Sequence, residues 1–341
     1  MSKDIFDQTT LGGIPMKNRL IRSATWEDLV ACNGVFDEQL IRVYAELAEG
    51  GVGFIITGFT SVSDMDNDFG GMMRLSHDGL IPQFQKLVQT VKAFDCPIIP
   101  QLALGCFRKK DANGVLRRME ITEMRQNDIA QVIDLFAQAA VRAKKAVFDG
   151  VQIHAAHGFF LSRALSPLYN KRQDEYGGSP ENRARILTEI IDAVKGKIGS
   201  LHISMKINCD DFQIGGMSAS DSRTICKLAA LHGINSIEVS GSGASRSGVK
   251  ANVNEGYFQT YATELQKTIQ VPIISVGGYR SVEYINRILN ETPLEYVSLS
   301  RSLISEPDLP NRWKNGNLAP STCVSCNACY STQGHRCIFK L

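Results

Sequence analysis

The stretch GVQIHAAHGFFLSRALSPLYNKRQDEYGGSPENRAR, residues 150–185, joins a strand, a long loop and a helix. Residues 148–154 read as a buried strand, because the run is apolar and Val151 and Ile153 are β-branched. The strand ends in a His-Ala-Ala-His turn carrying His154 and His157. Ser179 is placed to cap the next helix, with Pro180 at its first position and Glu181 in its first turn, where a carboxylate meets the positive end of the helix. Ile186, Leu187, Ile190, Ile191 and Val194 then recur at helical spacing. Two histidines at a strand's carboxyl end, before a loop longer than a plain connection, point to a site. Two satisfied structural histidines would read the same way, and the pair lacks the glutamate of the zinc-protease motif.

The same unit recurs along the chain. Strands are expected at 18–22, 52–57 (ending at Gly58), 97–102, 148–154, 203–208, 236–240, 272–276 and 296–300, with helical spacing between them. Eight strand-helix units argue for parallel pairing and closure, so the fold class expected is α/β, a TIM (β/α)8 barrel. Residues 105–121, with Asp111-Ala-Asn113-Gly114 between two short strand candidates, read as a β-hairpin inserted over the barrel mouth. With the Gly- and Ser-rich loop 241–256 it is expected to form a substrate lid. The division expected is a barrel over 1–318 and a Cys-rich C-terminal tail over 319–341 that is not an independent domain.

The chain has 341 residues, a formal net charge of +2 and spread rather than clustered Lys and Arg, which argues against nucleic acid as a partner. No run approaches a membrane span and MSKDIFDQ is too charged for a secretory segment, so a cytoplasmic protein with small-molecule partners is expected, a homo-oligomer being possible. Nine cysteines without a secretion signal are expected to be reduced thiols.

In a barrel of this type the active site lies at the carboxyl ends of the strands. The residues falling there are Thr25, Gly58, Gln101, His154 with His157, Lys206, Ser240, Gly277 with Gly278, and Ser300 with Arg301. Glycines whose bare amides can approach oxygens, followed one strand later by Ser-Arg, suit a phosphate; a tight turn alone would also explain the glycines. Gln101 can donate and accept at once, which suits the edge of a ligand ring that presents both kinds of group. Lys206, within SMKIN, must reach a polar end of the barrel.

HAAHGFFLSRALSPLYNKRQDEYGGSPENRARI resembles the signature of the old yellow enzyme family, FMN-dependent ene-reductases on a TIM barrel, and the likeness continues at MKNRLIRSAT, Gln101 and SLSRSLISEPDLPNRW. The resemblance implies noncovalent FMN with Ala24, Thr25, Gly58, Gln101 and Lys206 around the ring, and Gly277, Gly278, Ser300 and Arg301 near the phosphate. It implies NADH or NADPH as reductant. His154 and His157 would then clamp the carbonyl of an α,β-unsaturated substrate while hydride arrives from flavin N5, and Thr25 would tune the flavin. One departure matters: the family's proton-donor tyrosine is Phe159 here, and Tyr176 belongs to the structural D-x-Y-G-G run.

Cys323-x-x-Cys326-x-x-Cys329, with Cys337 seven residues further on, could hold a [4Fe-4S] cluster or zinc. The tail resembles the cluster motif of the dienoyl-CoA reductase branch but departs in two spacings, and the nucleotide-binding domains of that branch are not expected here. His335 is an alternative ligand. A metal-dependent barrel hydrolase using the two histidines, and a flavin-binding partner protein of low activity, remain rival readings.

Overall fold

The computed structural model describes every residue except Met1, Asn67 and Leu341, so the outer bounds of the segments 1–318 and 319–341 lie outside the described residues. Eight parallel strands close on themselves: β1 (Leu20–Arg22), β2 (Phe54–Ser61), β3 (Ile98–Ala103), β4 (Gly150–Ala155), β5 (His202–Asn208), β6 (Ser236–Ser240), β7 (Ile273–Ser275) and β8 (Tyr296–Leu299). Val297 of β8 pairs with Leu20 of β1 and Ile21 of β1 with Phe54 of β2, which leaves neither strand as a free edge. The helices α1 (Glu38–Glu49), α2 (Ile81–Lys92), α3 (Gln126–Lys145), α4 (Pro180–Ile198), α5 (Ala219–Leu231), α6 (Gln259–Gln266), α7 (Val282–Glu291) and α8 (Leu309–Lys314) follow the strands in turn. This is the expected TIM barrel.

Local chemistry starts the helices where their sequences say. Ser179 accepts from the Asn182 amide at 3.3 Å and Ser218 from the Asp221 amide at 3.2 Å, each covering an orphan donor of a first turn. Helix α4 ends at Gly199, whose φ of +70° a side chain would resist.

Strand periodicity sorts the residues into two environments. In β5, Ile203, Met205 and Ile207 pack outward into the large core beneath the helices, while His202, Ser204 and Lys206 alternate with them and are buried inside the barrel. In β6, Ile237 and Val239 face that core and Ser236, Glu238 and Ser240 take the other side. A second apolar cluster fills the lower end of the barrel: Ile21, Phe54, Ile56, Ile99, Ile274 and Tyr296, closed from below by Leu11, Ile14 and Met16. These last three come from an antiparallel hairpin, Thr9–Leu11 with Ile14–Met16, that the sequence reading did not anticipate. The barrel is therefore plugged with hydrocarbon at the amino ends of its strands and polar above.

Two expectations change. Strand β2 does not end at Gly58 but runs on to Ser61 through an irregularity between Ile56 and Phe59, and its extension pairs with a two-residue strand, Met73–Arg74. The hairpin within 105–121 exists, as Phe107–Lys110 against Leu116–Met119, but its charges tie it sideways: Arg108 and Arg118 to Asp68, Lys109 to Asp128 at the start of α3. Among the described residues none of 105–121 lines the central cavity, whereas Ser242, Gly243, Ala244 and Ser245 of the 241–256 loop do.

Candidate active site

A cavity of about 590 Å³ opens at the carboxyl ends of the strands. Of the residues expected there, Ala24, Thr25, Gln101, His154, His157, Lys206, Gly278, Ser300 and Arg301 line it. Gly58 does not. A Cβ on it would lie 2.5 Å from both Glu27 Oε2 and the Thr25 carbonyl, and its amide donates to Tyr44 Oη at 2.8 Å, so this glycine exists for close packing of the loop after β1. Gly277 also lies off the wall, its carbonyl accepting from the Gly256 and Tyr257 amides; it shapes the turn that presents Gly278.

Thr25 Oγ1 donates to the Ser23 carbonyl at 3.0 Å and lies 2.9 Å from Ser300 Oγ, which leaves a lone pair rather than a proton for any ligand. Lys206 Nζ is buried, donates to Ser23 Oγ at 2.7 Å and lies 3.3 Å from Glu238 Oε2. Glu238 went unnoticed in the sequence. Its signal was register: it sits opposite Lys206 on the neighbouring parallel strand, each two residues before its strand's end.

His154 is 2 % exposed, and its Nδ1 is buried without a partner. Leaving a lone pair uncovered costs less than stranding an N–H, which places the ring proton on Nε2. Burial, then the charges His157 and Lys206 would bring against it, hold His154 well below the ordinary imidazole range. His157 has φ +60° and is exposed at the wall of this open cavity; its Nε2 is 2.8 Å from Ser240 Oγ. Desolvation and Lys206 push it down to about 3. Both imidazoles are thus neutral donors in a cavity that, among the described residues, no carboxylate lines.

Aromatic rings bound the mouth. Phe159 lies 4.4 Å from His154, 5.2 Å from Phe59 and stacks on Phe69 at 5.0 Å; Trp26 continues the arc 5.8 Å from Phe59. The tail closes it. His335 sits edge-on to Trp26 at 4.7 Å with Nδ1 against the Trp26 carbonyl, and Tyr330 lines the cavity beside Ser245. His335 therefore packs against Trp26 and does not line the space the cysteines share, unlike the expectation of an alternative ligand.

Cys323, Cys326, Cys329 and Cys337 surround one small space of about 20 Å³ together with Arg301 and Asn327. Among the described residues no three of these sulfurs come within 4.8 Å of one another. A tetrahedral zinc would draw them to about 3.8 Å, given its bond lengths. A trio that is that close among the described residues, Asp66, Asp68 and Cys106, is already partly neutralised by Arg108 and Arg118 on Asp68.

The model of the NADH:flavin oxidoreductase / NADH oxidase family matches residues 4–319. The chain belongs to that family. It is 31% identical to an NADPH dehydrogenase of Geobacillus sp., over 91% of this chain and 93% of that protein, and 29% identical to an NADH oxidase of Thermoanaerobacter brockii, over 95% of this chain and 53% of that one. Among solved structures it is similar to 2-naphthoyl-CoA reductase with 2-naphthoyl-CoA (TM-score 0.87, 22% identity, 96% of this chain, 54% of that) and to the old yellow enzyme homologue from Zymomonas mobilis (TM-score 0.76, 21% identity, 95% and 96%). The chain spans about half the length of the Thermoanaerobacter brockii NADH oxidase and of 2-naphthoyl-CoA reductase. Such members of the old yellow enzyme family share its barrel, and no helix among the described residues is long and apolar enough to cross a membrane.

Proposed function

We propose that the chain is an FMN-dependent oxidoreductase that takes reducing equivalents from NAD(P)H and reduces an activated carbon-carbon double bond of an α,β-unsaturated carbonyl compound. The observation that carries this reading is the pair of neutral imidazoles, His154 and His157, donating into a cavity whose wall also offers Lys206 and Gln101. The residues fit the cofactor. Gly278, Ser300 and Arg301 offer an amide, a hydroxyl and a guanidinium for a phosphate at one end, and the Gln101 amide and Lys206 ammonium suit a pyrimidine edge at the other. Bound FMN would supply hydride transfer in two half-reactions, first from NAD(P)H and then to the β-carbon of the substrate.

The protein's part is positioning and charge. The N–H groups of His154 and His157 hold the substrate carbonyl and stabilise negative charge on its oxygen as the enolate develops, without giving up a proton. A metal hydrolase built on the same pair lacks any carboxylate ligand at the cavity wall, and the family's flavin chemistry accounts for Lys206, Gln101 and Arg301 together.

In the tail, four thiols line one space, and among the described residues no three of the sulfurs lie within 4.8 Å of one another, wider than a tetrahedral zinc would draw them. We take a [4Fe-4S] cluster as its occupant, beside the cavity that Arg301 shares. The test is the visible spectrum of protein purified without oxygen, with analysis of released flavin, iron and zinc, followed by NADPH oxidation with cyclohexenone. Flavin bands and enone turnover that disappears in the double variant His154→Ala/His157→Ala are the expected result. Flavin without turnover would favour a low-activity flavin carrier, and protein that neither contains nor binds FMN would end the proposal.

A further inference from the structure

Below the cavity floor one carboxylate gathers four polar side chains, Ser23, Ser298, Gln152 and Lys206. Glu238 is 0 % exposed. Its Oε1 accepts from Ser23 Oγ and from Ser298 Oγ, both at 2.7 Å, and its Oε2 accepts from Gln152 Nε2 at 3.1 Å and lies 3.3 Å from Lys206 Nζ. Ser23 in turn receives Lys206 Nζ at 2.7 Å, so the ammonium reaches the carboxylate both directly and through a hydroxyl. Burial alone would raise this carboxyl's pKa, but Lys206 and the three donated hydrogen bonds override it and bring it below the ordinary value.

An ionised carboxylate accepts and never donates, and that fixes the polarity of its neighbours. Gln152 must turn its NH₂ toward Glu238, so its Oε1 points the other way, where Gln101 Nε2 donates to it at 2.7 Å. Gln101 is thereby forced to present its carbonyl oxygen to the cavity. The carboxylate at the end of this hydrogen-bonded chain dictates the orientation of both amides.

We propose that Glu238 is a positioning residue that sets what the flavin ring meets: it pairs Lys206, so that the ring faces a neutral ion pair instead of a bare cation, and it turns Gln101 carbonyl-outward to accept from the N–H of the pyrimidine edge. The proposal rests on FMN occupying this cavity. A bare cation there would stabilise the anion that reduction creates and make the flavin a weaker donor. Glu238 holds that effect down, which keeps hydride transfer to a carbon-carbon double bond downhill.

The experiment is the two-electron reduction potential of FMN-loaded protein, with FMN affinity measured alongside, in wild type, Glu238→Gln, Glu238→Asp and the double variant Glu238→Gln/Lys206→Met. Glu238→Gln keeps the volume and removes the charge; the reduction equilibrium should shift at least tenfold toward reduced flavin, about 30 mV upward for a two-electron couple. Glu238→Asp should stay near wild type. The double variant, which replaces a buried ion pair by neutral groups and is the one expected to fold if Glu238→Gln does not, should return to within a third of that shift. A potential unmoved in Glu238→Gln, or displaced tenfold in the double variant, overturns the role of Glu238 while leaving FMN in the cavity. Wild-type protein that binds no FMN overturns both.

Discussion

Phe159 stands where the resemblance to the old yellow enzyme family implies a proton-donor tyrosine, and its surroundings say why a phenylalanine is stable there. The ring is packed between Phe59, Phe69 and His154, an apolar setting that a phenylalanine fills without an unmet hydrogen bond. It lines the cavity all the same. Phe159→Tyr is expected to raise kcat for an enone about 10²-fold, the low end of what a placed general acid contributes, and to leave flavin reduction by NADPH unchanged. Stopped-flow measurement of the two half-reactions checks this; an unchanged oxidative half-reaction would mean that another hydroxyl already delivers the proton. Most single residues of the site were legible because strand ends could be aligned. Glu238 was not, because it lies one layer below those ends and matters only through the register that pairs it with Lys206.

At the scale of elements, alternation and caps carried the reading. The apolar runs of β3 to β6 and the serines before α4 and α5 declare themselves in sequence, since burial and orphan amides demand those residue types. Elements that form only against the rest of the barrel left no such mark. The N-terminal hairpin has three residues per strand, one of them Pro15, too short for a period to show. The extension of β2 past Gly58 is likewise hidden, because glycine ordinarily signals an end. Its actual role makes a prediction: Gly58→Ala, with its new methyl 2.5 Å from two oxygens that belong to packed neighbours, should cost about 1–3 kcal/mol in urea unfolding. FMN affinity in that variant should hold, and a loss of FMN at unchanged stability would return Gly58 to the site. The tail shows a further limit of spacing: cysteine intervals proposed a cluster, but only folding revealed that, between the last two cysteines, Tyr330 lines the cavity and His335 packs on Trp26 at its wall.

Across the whole molecule, buried imidazoles give stability a definite dependence on acidity. Desolvation is the main cause of the depressed values of His154, well below the usual range, and of His202, about 4. The unfolded chain binds protons at these groups near pH 6.5, and the folded chain does not. Stability is therefore fully present above about pH 6.5 and falls as the pH drops toward the folded values, by about 1.4 kcal/mol per group per pH unit. Urea midpoints between pH 6 and 4 should trace that slope, and His202→Gln should remove one group's share. A slope unaltered by that substitution would mean that His202 is charged in the folded state.

The hydrocarbon plug beneath the barrel carries a consequence for timing. Leu11, Ile14 and Met16 seal the lower opening against Phe54, Ile99 and Tyr296, so Glu238 can meet water only from the mouth. Once a ring or a substrate covers that mouth, the carboxylate and the Lys206 ammonium paired with it exchange no proton with bulk water for as long as the complex lives. Their charge is then inherited from the open protein and carried unchanged through chemistry, in the manner of a setting fixed before each cycle begins.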